Sequence, residues 1–299
     1  MRRPPRGIAE NVPGGRGLIE TIDSQLRIGT IVLPFYSNIG REFRQIAKSE
    51  FSVEDLTEIL RMDGAIATRI AKRAKSVPQW KSRPVRTLED VVEILGVDVT
   101  RRMIEVFMHQ GLFIPRNERY RRRFDAVWRH VIICAHVAEL LAQREGDPGK
   151  SDAFALGLLH DIGALGLLQC AMELEYQRWV KAAQIDRELA TVIAKHHGSF
   201  GSLLLKRWAF SREFLEIATA HEQVDASLSS SRPLVLVRVA NDLANWIEPY
   251  ERSVVRDELV ANSAVKSFGI TNETLDAFRG EIVASLALID FQLGNGTEW

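Results

Sequence analysis

A chain of 299 residues is long enough to bury a sizeable core and allows one or two domains of ordinary size. Its 39 Lys and Arg balance 39 Asp and Glu, and this zero net charge argues against nucleic acid or an anionic membrane as an obligatory partner. Only Cys134 and Cys170 occur, both inside apolar runs, which excludes a disulfide framework and fits a reducing compartment. No apolar run reaches the roughly 18 residues of a spanning helix, and no hydrophobic segment follows the early arginines, so the expectation is a soluble cytoplasmic protein.

Residues 1–17 carry three prolines and four glycines before any periodic pattern begins, as a mobile tail does. From Leu18 to Ile31 the apolar spacing Leu18, Ile19, Ile22, Leu26, Ile28 predicts a helix. After Pro34, residues Phe35, Ile39, Phe43 and Ile46 fall on one helical face. Ser52 with Asp55 forms a capping-box start to a stripe of Val53, Leu56, Ile59 and Leu60, which Gly64 breaks. Ile66, Ile70 and Ala74 carry the next helix inward. Thr87 with Asp90 marks another start, and 97–113 reads as a longer helix. Nowhere is a period of two sustained, so the fold class is all-α.

Residues 116–123, RNERYRRR, read as a basic hinge and domain boundary. A solvated helix start is favoured there over a phosphate-binding patch, because interleaved aromatics and an overall basic balance are both missing. The expected organisation is thus a tail (1–17), an N-terminal helical subdomain (18–118), a second helical domain (119–250) and C-terminal helices (251–299).

In the second domain, Val127, Val131, Cys134, Val137 and Leu141 form one stripe, with His130 at or near the core and His136 on another side. The stretch 153–168, AFALGLLHDIGALGLL, places His160 and Asp161 in an apolar run that must be buried. Each then needs a metal, a hydrogen-bond network or both, since a buried ion or imidazole without a partner costs several kcal/mol, roughly, as isolated polar groups do. Asp186 opens a helix whose last turn holds His196 and His197, with Gly198 as its expected stop, and Ser211 caps a helix ending on His221 and Glu222. A final apolar helix carries Asn241 and Asp242, and 278–293 supplies a stronger one of the remaining helices.

His130, His160, Asp161, His197, His221 and the Asn241–Asp242 pair come from different helices, which is how a helical bundle builds a polar or metal site. Imidazole with carboxylate suits a divalent iron, manganese, nickel or zinc ion, and such a site could activate water or hold a phosphate. His196 is expected on the exposed side; His136, Cys134, Cys170 and Trp208 are expected to be filler without chemistry.

A His on one helix, an adjacent His-Asp and a late acidic residue in an apolar helix resemble the HD superfamily of metal-dependent phosphohydrolases. The stretches VWRHVIICAHVAELLA, FALGLLHDIGALGLLQ, KHHGSFGSLLLKRWAFSREFLEIATAHE and EDLTEILRMDGAIATRIAKRA, with VRTLEDVVEILGVD, are similar to its HDOD (HD-related output domain) branch over 31–244. The resemblance implies an HD-like helical bundle with an additional N-terminal helical subdomain, in a bacterial signalling protein that acts by binding. His130 matches the first motif position and His160 with Asp161 the central pair, while the terminal acid falls on Asn241. Asn supplies one neutral oxygen in place of an anion and weakens the grip on a hard dication. Asp242 cannot replace it, being about 100° further round the helix. HHGSFGSLLL also lacks the Gly-Tyr-Pro signature of the cyclic-dinucleotide phosphodiesterase branch.

His130, His160 and Asp161 are therefore the metal candidates, with His197, His221 and Asn241 as further ones; Arg129, His197 and His221 are candidates for ligand contact. Trp128 is expected to pack and Arg129 to form a buried ion pair, with a carboxylate of the N-terminal subdomain as its candidate partner. The first expectation is recognition of a signalling protein or small ligand through a degenerate site. The second is an active phosphohydrolase on a nucleotide or other phosphoester, with His160 and Asp161 catalytic, and the third an interaction module with an empty site.

Overall fold

Apolar residues recurring every three or four positions make helix follow helix, and polar caps mark where each begins. The structure, a computed structural model, describes residues 17–34, 40, 42–43, 51–75, 77, 80, 86–146, 153–222, 231–248, 250 and 253–282, with no strand among them. Helix α1 (Leu18–Arg27) buries Leu18 and Ile22 and stops at Arg27, short of the expected Ile31, because Gly29 turns the chain at a φ of 72° and the Thr30 amide bonds back to the Gln25 carbonyl. The Ser52 hydroxyl accepts the Asp55 N–H and the Asp55 carboxylate accepts the Ser52 N–H, opening α2 (Val53–Met62). Asp63 ends α2 and caps α3 (Gly64–Ala74) by accepting from the Ala65 and Ile66 amides. Thr87 and Asp90 repeat the reciprocal cap for α4 (Leu88–Leu95). Helix α5 (Val97–Gln110) ends before Phe113, which is buried against Trp128 and Trp208 instead of extending the helix. The expected tail and most of the Phe35–Ile46 stripe lie outside the described residues, although Phe43 is buried.

Asn117 caps the 27-residue α6 (Glu118–Arg144), so the basic stretch forms its first turns. Those arginines reach acidic partners on the two helices that follow the His-Asp pair: Arg116 pairs with Glu173, Arg119 with Glu175 and Asp186, and Arg123 with Asp186. Helix α7 (Ala153–Leu159) is buried at every residue, and α8 (Ile162–Tyr176) nearly so. Spanning 24 residues with a mean hydropathy of 1.5 in its most apolar window, 153–176 meets a length-and-composition criterion for crossing a membrane, yet 94% of that window is buried inside the protein. This corrects the expectation that no such run exists. His160 and Asp161 break the uninterrupted count without making the stretch polar on average, and its burial is that of a core hairpin.

Helix α9 (Ala182–Arg207) packs along α8, α10 (Arg212–Ala220) packs on α9, and α11 (Arg232–Ile247) lies against α6 and α7. Helix α1 rests on α8 and α9, where the Leu18 amide donates to Glu188 at 2.7 Å. Ser211 precedes α10 without a side-chain capping bond, contrary to expectation. The short α12 (Arg256–Ala261) and α13 (Ser263–Lys266) follow, then helical residues 275–282; positions 283–293 of the expected final helix lie outside the described residues.

Glycines set how closely these helices meet. A Cβ at Gly163 would fall 1.9 Å from the His197 carbonyl oxygen, and one at Gly157 would fall 2.7 Å from Ala135 Cα. Gly198, expected to stop its helix, sits inside α9, where a Cβ would lie 2.8 Å from the Ala218 carbonyl oxygen. It serves the approach of α10, not termination. Backbone thus meets backbone on three sides of the His-Asp pair.

Candidate metal centre

The α7–α8 break is where the site forms. Asp161 occupies the N-cap position of α8 but makes no capping bond with its side chain, so its carboxylate is left for the helices around it. His130 arrives from α6, His197 from α9, and His221 from the residue just beyond α10; all five side chains are buried. His197 Nε2 lies 3.4 Å and His221 Nε2 3.5 Å from Asp161 Oδ1, while His160 Nε2 is 3.9 Å from Oδ2.

Three of the imidazoles are turned the same way. The Nδ1 of His160 faces the Gly157 carbonyl at 2.7 Å, that of His197 the Ile193 carbonyl at 2.9 Å, and that of His221 the Ile217 and Ala218 carbonyls at 3.2 and 3.1 Å. A carbonyl can only accept, so Nδ1 carries the proton and each Nε2 presents a lone pair toward Asp161. This is the arrangement by which proteins fix the tautomer of a metal-binding histidine. Two donor triads follow, His130–His160–Asp161 and Asp161–His197–His221, each with its ligand atoms within 4.8 Å of one another.

Electrostatics favour the same reading. Burial lowers His130, His160 and His221 to about 4 each, against the pull of the Asp161 charge, so the rings are neutral near pH 7. Burial pushes Asp161 up, but the surrounding imidazoles, once protonated, outweigh it and hold the carboxyl at about 2. The carboxylate oxygens, His160 Nε2 and both nitrogens of His130 are buried with no hydrogen-bond partner. A cluster of orphaned lone pairs around one anion is costly in a protein interior and is relieved by a cation. The donor set of three or four imidazoles and one carboxylate fits a divalent transition metal or zinc.

Asn241 is buried on α11, and its side-chain oxygen accepts from Asn245 Nδ2 at 3.1 Å. Asp242 is turned away, with its carboxylate 3.5 Å from Asn262 Nδ2 beside α13. Asn241 is thus the buried member of the pair and Asp242 the half-buried one, facing α13. Three neighbours escaped the sequence reading. Tyr250 stacks on His130 with ring centroids 4.9 Å apart, Asn245 holds the Tyr250 amide, and Glu222 Oε2 comes within 3.5 Å of His197 Nε2. Only Glu222, adjacent to His221, carried a local signal.

Other expected positions resolve plainly. Arg129 pairs with Glu248 at the end of α11 at 3.2 Å, and with both side chains about one-third to one-half exposed this is not the buried ion pair expected. His196 is half-buried, not on the exposed side as expected. His136 is buried edge-on against Phe154, Trp128 and Trp208 pack in the core, and Cys134 and Cys170 are buried free thiols.

Comparison with known proteins agrees with this fold. The chain resembles a candidate metal-dependent phosphohydrolase of Shewanella amazonensis SB2B in structure, with a TM-score of 0.63 at 22% identity over 91% of this chain and 97% of that one. An HDOD domain protein of unknown function from Geobacter sulfurreducens matches with a TM-score of 0.60 at 19% identity, over 91% of this chain and 95% of that one. A candidate signal transduction protein of Marinobacter aquaeolei VT8 gives 0.62 at 17% identity, covering 94% of this chain and 61% of that one. At these identities the likeness is one of fold. No curated protein matches the sequence. The HDOD domain model matches residues 33–224, which takes in His130, His160, Asp161, His197 and His221 and ends before α11. With most of its length and its buried histidines inside that match, the chain belongs to the HDOD domain family.

Proposed function

We propose that this chain is a bacterial, cytoplasmic regulatory domain that holds a divalent iron, manganese, nickel or zinc ion in its histidine–aspartate cluster and recognises a signalling protein or small ligand without turning it over. The observation that carries this reading is Asn241, buried with its neutral oxygen engaged by Asn245, at the position where the resemblance puts an anionic ligand. A metal bound here would supply a Lewis-acidic centre for an anionic or carbonyl group of the ligand. His160, His197 and His221 orient their lone pairs through backbone carbonyls, and Asp161 provides the carboxylate shared by both triads.

The test is metal content with turnover. Protein purified without chelator should carry metal that His160→Ala reduces by tenfold or more, in line with the roughly 10–100-fold effects of disturbing a metal shell. Phosphoester hydrolysis with added manganese or iron should stay at background. Asn241→Asp should raise metal retention; unchanged retention would mean that this position is not the missing ligand. A second reading, a working phosphohydrolase, is favoured by the Asp161–His197–His221 triad, which does not involve Asn241 and has Glu222 beside it. Turnover abolished by His221→Ala would select that reading instead.

A further inference from the structure

Three donor atoms of the centre form a nearly regular triangle. His197 Nε2 and His221 Nε2 are 3.4 Å apart, and they lie 3.4 and 3.5 Å from Asp161 Oδ1. With the proton of each ring on Nδ1, facing a backbone carbonyl, no hydrogen remains to bridge any side of it. Two lone pairs and a carboxylate oxygen thus face one another across the same small space. Glu222 brings a fourth acceptor, its Oε2, to 3.5 Å from His197 Nε2.

These separations select a coordination geometry. Around an ion held at the roughly 2.0–2.2 Å of zinc bonds to imidazole and carboxylate, the corners of a tetrahedron lie about 3.3–3.6 Å apart, and adjacent corners of an octahedron only about 2.8–3.1 Å. All four separations fall in the first range. The other triad is wider, with His160 Nε2 standing 3.9 Å from Asp161 Oδ2.

The corner that carries His221 and Glu222 is also held in place. Helix α10 ends at Ala220, where the last carbonyls have no partner within the helix. Arg238 of α11 supplies one, donating Nε and Nη2 to the Ala220 carbonyl at 3.2 and 2.8 Å, one residue before His221. On the other side, Gly198 brings the backbone of α9 against Ala218. The Glu222 side chain, 43% exposed, approaches the buried triangle from the solvent side.

We propose that Asp161, His197 and His221 form a four-coordinate site of the kind zinc takes, with Glu222 as its fourth ligand. The inference rests on the metal-centre reading and deepens it: the ion sits away from the motif positions His130 and Asn241, and Glu222 restores at another corner the negative charge that Asn241 does not supply. His160 packs edge-on against His221 with ring centroids 4.8 Å apart, so its loss disturbs this site too and does not tell the two triads apart. His130 and His197, each in one triad only, do.

Cobalt(II) is the probe, because four-coordinate cobalt absorbs visible light strongly and six-coordinate cobalt only faintly. Added to the full chain after chelator treatment, cobalt should give the intense bands, and zinc should remove them by displacement. Glu222→Gln keeps the size of a solvent-facing side chain and removes its charge; with its urea midpoint unchanged, it should bind cobalt about tenfold or more weakly, at least the effect of disturbing a metal shell, and with shifted bands. His197→Ala should lose the bands. Metal taken up with only the faint six-coordinate spectrum, an unaltered titration in Glu222→Gln, or bands lost in His130→Ala and kept in His197→Ala would overturn the proposal while leaving a metal centre in place. A wild type that takes up neither cobalt nor zinc would overturn the metal-centre reading and this inference together.

Discussion

Three neutral histidines and one ionised aspartate define how the centre responds to acid. His130, His160 and His221 have folded values near 4 against an ordinary 6.5, so between those limits the unfolded chain takes up protons that the folded chain refuses. Stability is therefore highest above pH 6.5 and falls as pH drops toward 4, in the opposite sense to a histidine that gains an acidic partner on folding. Asp161, held near 2, adds stability above its ordinary 3.8 that disappears only as pH falls through 2. Urea midpoints of the metal-free protein should decline steadily from pH 7 to pH 4. His130→Asn, which cannot take a proton in that range, should flatten the decline; an equally steep curve would place the acid sensitivity elsewhere.

At the level of helices, the glycines separate positions that look alike in sequence. Gly163 and Gly280 both lie in helical segments, yet a Cβ at the first would strike the His197 carbonyl and at the second would meet nothing within 4 Å. Gly163→Ala should cost about 1–3 kcal/mol or more, as overpacked cores do. Gly280→Ala should gain about 0.5–1 kcal/mol from helix propensity alone. Chemical denaturation of the two variants measures both. The sequence disclosed what local rules govern: the Ser52–Asp55 and Thr87–Asp90 caps, the apolar stripes, and the burial of His130, His160 and Asp161. It misread Gly198 as a stop, because local spacing cannot show that α10 crosses there. It gave no sign of Tyr250 or Asn245, whose importance arises only when the end of α11 returns to α6. The pairing of Arg129 with Glu248 was hidden for the same reason.

Across the whole molecule, α6, α9 and the end of α10 converge on one short break in the core hairpin, so a cation there would tie α6, α7–α8, α9 and α10 together. Binding to the folded state alone should raise stability by ~2.7 kcal/mol when free metal exceeds its dissociation constant a hundredfold. Calorimetry should show the melting temperature rise with zinc or manganese and return on adding chelator, and His160→Ala should remove the effect. The all-helical class and the HD-like bundle follow from periodicity and motif order together, whereas the convergence itself is a property of three-dimensional packing. Asp161 belongs to both triads, and there is one such carboxylate for two sets of imidazoles. A first dication would more than consume that negative charge, and a second would enter with only the half-exposed Glu222 beside His197 to offset the positive field. Filling either half then discourages filling the other, and by thermodynamic reciprocity the penalty is the same whichever is loaded first. The centre would hold its first ion far more readily than a second, a stepwise loading curve imposed by the sharing of one side chain.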